Sequence, residues 1–240
     1  MTKRRITDQE ERYYTERSRL ISECSPEYIA DAPFLFATRI QITSMLSRIE
    51  LFKMVLEIPG AIIECGVYKG NSLMLYLQLS LLLEPYAINR TIYGFDTFEG
   101  FRSINDMADP KDISEKIFSD VDVSILQRSI DINDLIRPVR RIPRCELIKG
   151  DIVETVPNFV KSKPELCVAM LILDTDLFEP TKVALQSFLP LMPKGGVVVL
   201  DELAYRNFAG ETQALREVVD LNKIEMKRLP FDAAVGYFKV

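Results

Sequence analysis

The chain has 240 residues, 48% of them apolar and 27% charged, with a formal net charge of −5; this suits one sizeable α/β core with appended helices and excludes disordered, collagen-like and disulfide-scaffold classes. The acidic balance offers no general attraction for nucleic acid or anionic lipid, and no apolar stretch approaches the roughly 20 residues of a membrane span. Histidine is absent, which removes the commonest general base, the Ser-His triad and every His-ligated metal, and leaves carboxylates, Lys, Tyr or a metal to carry any chemistry.

The N-terminal Met1 to Arg5 is basic but runs into charged residues, so no secretory signal is expected and the chain is expected in the cytoplasm. Cys65, Cys145 and Cys167 lie in or beside apolar runs, without a C-x-x-C pair, and should be reduced, packed thiols. Residues 1–58 read as a helical extension. Ser25-Pro26-Glu27 is an N-cap with proline at the first helical position, and Ile42, Leu46, Ile49, Leu51, Phe52, Val55 and Leu56 have helical apolar spacing. This layer is expected to pack, or to form a homodimer or higher homo-oligomer, rather than enter the chemistry.

Over residues 59–240 short β-branched runs alternate with helical segments, which predicts a doubly wound, mostly parallel α/β sheet. Strands are expected near Ala61 to Cys65, Thr91 to Phe95, Cys145 to Ile148, Cys167 to Leu173 and Val197 to Leu200. Helices are expected near Asn71 to Leu83, Ile152 to Lys161, Glu179 to Leu191 and Glu211 to Leu221, and Glu225 to Leu229 with Ala234 to Val240 forms a final strand pair with an antiparallel edge. Phe101 to Arg144 has weak periodicity and reads as an insertion at about 102–144, of the kind that makes lids or binding loops.

In open parallel sheets ligands bind beyond the carboxyl ends of the strands. The first strand ends in Glu64-Cys65-Gly66-Val67-Tyr68-Lys69-Gly70-Asn71-Ser72. Gly66 allows close backbone approach there, and the next helix offers free N–H groups to a carboxylate. That fits the methionine end of a nucleotide-like cofactor; a purely structural turn is the alternative. The stretch is neither G-x-G-x-x-G nor a phosphate loop, which disfavours a pyrophosphate or triphosphate ligand. Asp96, followed by Thr97 and Phe98, stands where a ribose diol would lie. Asp151 can accept from an adenine amine with Ile152 covering the ring, and it also suits an N-cap. If the fourth and fifth strands are neighbours, Asp174, Asp201 and Glu202 converge beside the cleft. Three such carboxylates call for a cation, and an all-oxygen set suits Mg²⁺ or Ca²⁺ rather than zinc. Asp176 and Glu202 could instead face solvent or cap helices, which for Asp176 is the preferred reading.

Five stretches in this order resemble the macrocin O-methyltransferase family: Ile63 to Gly70, Tyr93 to Phe101, Gly150 to Pro157, Leu173 to Lys182 and Gly195 to Glu202. The resemblance covers residues 60 to 220 or so. Asp201-Glu202-Leu203 followed by Gly210-Glu211, where many members have Asp-Asp, is closer to the branch containing the calicheamicin rhamnosyl O-methyltransferase. It implies a class I, Rossmann-like, seven-stranded methyltransferase. S-adenosylmethionine (SAM) would contact Glu64, Cys65, Gly66, Val67, Tyr68, Gly70, Ser72, Asp96, Thr97, Phe98, Asp151, Ile152 and Asp174. Asp174, Asp201 and Glu202 would hold Mg²⁺ or another hard cation such as Ca²⁺ or Mn²⁺. The acceptor would be a sugar hydroxyl, on a natural-product glycoside, a nucleotide sugar or a surface polysaccharide. With no histidine in the chain, a carboxylate, Asp174 foremost, is expected to receive its proton. Tyr205-Arg206-Asn207-Phe208 lies just beyond the metal acids and either meets the sugar, through Tyr205, Arg206 and Phe208, or serves only as a connection. Competing readings are methylation of a catechol-like phenol, a nicotinamide oxidoreductase, which the missing G-x-G-x-x-G counts against, and a non-catalytic interaction protein working through its N-terminal helices.

Overall fold

A computed structural model describes residues 7–240, which form two compact units dividing after Ser44. In the first unit α1 (Asp8–Ser22) opens with Thr7 and Glu10 in a reciprocal capping box, and Ser25 caps α2 (Pro26–Asp31) with Pro26 in its first turn. α3 (Pro33–Phe36) is tied to α1 by the Arg17 Nε donating to the Phe36 carbonyl at 2.7 Å.

α4 (Arg39–Lys53) supplies the first residues of the second unit. There follow β1 (Ala61–Cys65), α5 (Asn71–Leu83), β2 (Ile92–Asp96), α6 (Val123–Asp134), β3 (Cys145–Lys149), α7 (Ile152–Ser162), β4 (Val168–Leu173), α8 (Phe178–Phe188), β5 (Val197–Leu200), α9 (Gly210–Val218), β6 (Lys227–Arg228) and β7 (Gly236–Lys239). The sheet has the order β3-β2-β1-β4-β5-β7-β6. It is parallel from β3 to β5, and β7 runs antiparallel to both β5 and β6. The expected doubly wound sheet with an antiparallel edge is what forms.

Burial on both faces explains why β4 and β5 read as continuous apolar runs, and β1 as one broken only by Glu64. Successive side chains alternate between faces, so Ile62 joins Leu51, Phe52, Val55, Leu73, Tyr76 and Leu77 in one core layer. Ile63 joins Val156, Phe159, Leu185 and Phe188 in the other. Each fully buried Leu, Ile or Phe contributes about 1.5–3 kcal/mol, which pins the strand registers that set the site.

The segment between Phe101 and Arg144, expected as an insertion of weak periodicity, contains α6, the crossover helix between β2 and β3. Asp122 caps α6 by accepting from the Ser124 N–H, and only Leu126 and Ile130 are buried. Two apolar contacts one turn apart leave too thin a periodic signal for sequence reading. The helix expected over Glu179 to Leu191 ends at Phe188, after which Leu189–Leu191 tightens into a 3₁₀ turn around Pro190. No helix of the described residues is long and apolar enough to cross a membrane.

Candidate active site

The chain runs from β1 to β2 and β3 on one side, then returns to β4 on the other. This reversal opens a crevice at the carboxyl ends of β1 and β4, the general ligand position in such sheets. Cys65 pairs with Leu173 at that edge. Gly66 makes the closeness possible: at φ +91° its missing Cβ leaves room for the Asp174 carbonyl, which any side chain would strike. The close approach that Gly66 permits is that of the β4 backbone.

Asp96 closes β2 and clamps the turn after β1. One carboxylate oxygen accepts the Val67 and Tyr68 N–H groups at 2.7 and 2.8 Å, and the other accepts that of Phe98 at 2.6 Å. Tyr68 and Phe98 both have left-handed backbone, at φ 50° and 54°. Such conformations persist only when neighbours over-determine them, and Asp96 does so for both.

Above these turns lies a cavity of about 160 Å³. Of the residues expected around a cofactor, Gly66, Tyr68, Asp96, Thr97, Asp151, Ile152 and Asp174 line it. Asp151 also caps α7 through the Val153 N–H at 2.9 Å and accepts from the Ser103 hydroxyl at 2.6 Å. Cys65, Val67 and Phe98 are buried in the core rather than on the cavity wall, and Gly70 faces Leu126 of α6. Glu64 and Ser72 bond to each other, with Ser72 donating. The second Glu64 oxygen is buried without a hydrogen-bond partner among the described residues. Burial, outweighing Ser72 and Arg48, raises the Glu64 carboxyl to about 7.

Sequence reading missed the rest of the wall: Gly100 and Phe101 beyond β2, Arg102 and Phe118 from the insertion, Thr175 and Asp176 after β4, and Leu177 and Pro180 from the entry to α8. Phe118 packs edge-on against Tyr68 and Phe101, with ring centroids 5.1 and 5.5 Å apart. Asp120, two residues beyond Phe118, ties this part of the insertion to the turn after β1 by accepting from the Tyr68 hydroxyl at 2.9 Å and pairing with Lys69 at 2.7 Å.

β4 and β5 are neighbours, so the condition for the carboxylates to meet is fulfilled. Asp174 and Asp201 share one guanidinium nitrogen of Arg48, at 3.8 and 3.1 Å. Asp176 is a correction: read as a solvent-facing or capping acid, it is 7% exposed, and burial together with Asp201 raises it to about 7. Glu202 is raised to about 7 by burial and by Asp176 and Asp201, and one of its oxygens is buried without a hydrogen-bond partner among the described residues. Burial also holds Asp174 well above its ordinary value, reinforced by Asp201, Glu211 and Asp176. The model of the macrocin-O-methyltransferase (TylF) family matches residues 9–239. The chain belongs to this family.

The resemblance carried by residues 60 to 220 thus extends over nearly the whole macrocin-O-methyltransferase-family chain. A crystal structure of CalS11, a calicheamicin methyltransferase, superimposes with a TM-score of 0.90 at 32% identity, covering 97% of this chain and 93% of that one. An apo structure of CalS11, described as a TDP-rhamnose 3'-O-methyltransferase of calicheamicin biosynthesis, gives 0.82 at 30% identity over 97% and 95%. The curated mycinamicin III 3''-O-methyltransferase of Micromonospora griseorubida is 24% identical over 150 residues, 60% of this chain; the match spans 56% of that relative's length.

Two residues of this family member that sequence reading left outside the site hold it together. Arg48 comes from α4, a helix expected only to pack or oligomerise. Glu211, in the first turn of α9, is fully buried. One of its oxygens accepts the Thr175 and Asp176 N–H groups at 3.0 and 3.1 Å, and the other that of Glu202 at 3.3 Å. It therefore fixes the loops after β4 and β5 relative to each other. Burial, with Asp176 and Asp201, raises it to about 8 despite those backbone donors. Tyr205 and Phe208 stack beside Asp201 and Glu202 in sequence, ring planes 17° apart and centroids at 6.3 Å, and Tyr205 is exposed. They do not line the cavity, nor does Arg206.

Proposed function

We propose that the chain transfers the methyl group of SAM to a sugar hydroxyl of a natural-product glycoside or nucleotide sugar, assisted by a hard divalent cation. The observation that carries this reading is continuity: Asp174, Thr175 and Asp176 line the cavity and also lead into the carboxylate cluster with Asp201 and Glu202. A donor in the cavity and an acceptor at the acids would therefore be adjacent. The names of CalS11 and of the mycinamicin enzyme support a sugar acceptor, and the family supports SAM.

The acids fit a hard cation by their chemistry. All donors are oxygens, their mutual repulsion opposes ionisation, and one Glu202 oxygen is buried with no hydrogen-bond partner among the described residues. Among the described residues no three of these side chains already surround a common point. Asp174, Asp201 and Glu202 would hold the ion, Mg²⁺ foremost, with Ca²⁺ or Mn²⁺ as substitutes; when bound, such an ion lowers the pKa of a hydroxyl and orients it. The chain's own residues do the rest. The cavity wall would hold SAM next to the acids, and Phe101, Phe118 and Leu177 on that wall would help to exclude water. The acceptor oxygen forms a bond to the methyl carbon as the carbon–sulfur bond breaks, and the hydroxyl proton passes to the Asp174 carboxylate. Tyr205, Arg206 and Phe208 would form the sugar-facing surface. The reading includes a homo-oligomer assembled through the first unit, whose Tyr28, Phe34 and Leu35 are 55%, 69% and 64% exposed.

The test is SAM titration with and without Mg²⁺, followed by a screen of nucleotide deoxysugars and glycosides for EDTA-sensitive methyl transfer. Asp201→Asn is expected to abolish turnover with SAM affinity nearly intact. Activity on catechols with none on glycosides refutes the acceptor, and loss of SAM binding in Asp201→Asn refutes the role given to Asp201.

A further inference from the structure

Arg48 occupies a position that none of the expected site residues accounts for. Its helix is locked in register by Leu51 and Phe52, which are buried in the core, and by Ser47, whose hydroxyl donates to Asp232. The Arg48 side chain is only 11% exposed. Its guanidinium lies between Asp201, at 3.1 Å, and Asp174, at 3.8 Å, and its charge is also felt by the Glu64 carboxyl. Arginine keeps its charge at any pH a protein survives, so a fixed positive charge stands between two of the three acids assigned to the cation.

We propose that Arg48 is the resident cation of this cluster, holding Asp174 and Asp201 together without a metal and competing with a divalent ion for the same two carboxylates. The inference rests on the metal-assisted reading above. It explains a feature which that reading leaves open: Asp174 and Asp201 are drawn to the guanidinium from the α4 side, while Glu202 keeps a buried oxygen unpartnered among the described residues. A divalent ion entering the cluster must share or take over the Arg48 contacts, against the repulsion of a nearby positive charge in a partly dehydrated site. Arg48 thus sets the cation affinity from a helix outside the crossover units, and keeps the carboxylates compatible with folding when no ion is bound.

The test is Mn²⁺ titration of the full-length chain by calorimetry and electron paramagnetic resonance, using wild type, Arg48→Met, Arg48→Gln and Arg48→Lys. The Met and Gln variants are expected to bind Mn²⁺ about tenfold tighter or more, and the charge-preserving Lys variant about as wild type does. Thermal unfolding gives a second readout: EDTA should lower the midpoint of the Met and Gln variants by more than it lowers that of wild type, with Mn²⁺ restoring it. Equal or weaker Mn²⁺ binding by both neutral variants overturns the proposal and reduces Arg48 to a scaffold residue. Asp201→Asn separates the two levels. If wild type binds Mn²⁺ independently of Asp201, the metal reading fails; if binding depends on Asp201 but neutralising Arg48 does not tighten it, only the inference fails. Mn²⁺ binding by the neutral variants alone would support the inference and remove the metal from the wild-type reaction.

Discussion

Glu64 offers a quantitative check on the electrostatics beneath the cofactor turn. It is fully buried in β1, and its carboxyl is raised from 4.5 to about 7, chiefly by burial. Below about pH 4.5 the group is protonated in both folded and unfolded chains and has no effect on stability. As the pH climbs toward 7, the unfolded chain releases the proton and the folded chain keeps it, so stability is lost through that window. At 1.36 kcal/mol per unit the loss levels off near roughly 3 kcal/mol at pH 8. Glu64→Gln keeps the shape of the protonated acid and an oxygen to accept from Ser72, so the variant should match wild type near pH 4.5 and exceed it by ~3 kcal/mol at pH 8. Urea unfolding in EDTA across this range measures the difference directly. Asp176, Glu202 and Glu211, raised to about 7, 7 and 8, act with the same sign in both proteins and cancel in the comparison. A difference between variant and wild type that does not change with pH refutes the assignment.

Other perturbations separate the cofactor side of the site from the acceptor side. Glu211→Gln leaves one oxygen for the Thr175 and Asp176 N–H groups but sets an amide donor against that of Glu202; steady-state kinetics should show kcat falling by about tenfold to a hundredfold, with SAM affinity by calorimetry little changed. Asp96→Ala frees three backbone N–H groups and relaxes two left-handed residues, so calorimetry should show SAM affinity falling about tenfold or more. Gly66→Ala drives a methyl into the Asp174 carbonyl at a positive φ, and chemical denaturation should show a loss of several kcal/mol, on the order of 4 or more, or no soluble protein.

The central strands were legible because burial on both faces makes them almost wholly apolar: Val197 to Leu200 forms as expected, and so does Ala61 to Cys65, where Glu64 is the one polar residue. The acids were legible for a related reason, since Asp96, Asp174 and Asp201 stand where apolar runs stop, at the sheet's carboxyl edge. What each acid bonds to was not legible. Asp96 is in the expected place, yet its oxygens accept N–H groups 28 and 29 residues upstream, and no local pattern reports that pairing. Arg48 reaches Asp201 across 153 positions, from a helix whose sequence advertises only packing.

Those long-range pairings share a logic that bears on catalysis. Two buried or half-buried acids hold loops that belong to other elements: Asp96 of β2 holds the turn after β1, and Glu211 of α9 holds the loops after β4 and β5. Irregular loops would otherwise sample many conformations, and ordering them during the reaction would raise the barrier. Backbone N–H groups bound by buried carboxylates are ordered in advance, with the electrostatic cost met by folding rather than by turnover. The raised value of Glu211, which persists despite its backbone donors, is the signature of that cost. It is also why a positive charge at Arg48, supplied by the chain itself, belongs to the same design as the acids it faces.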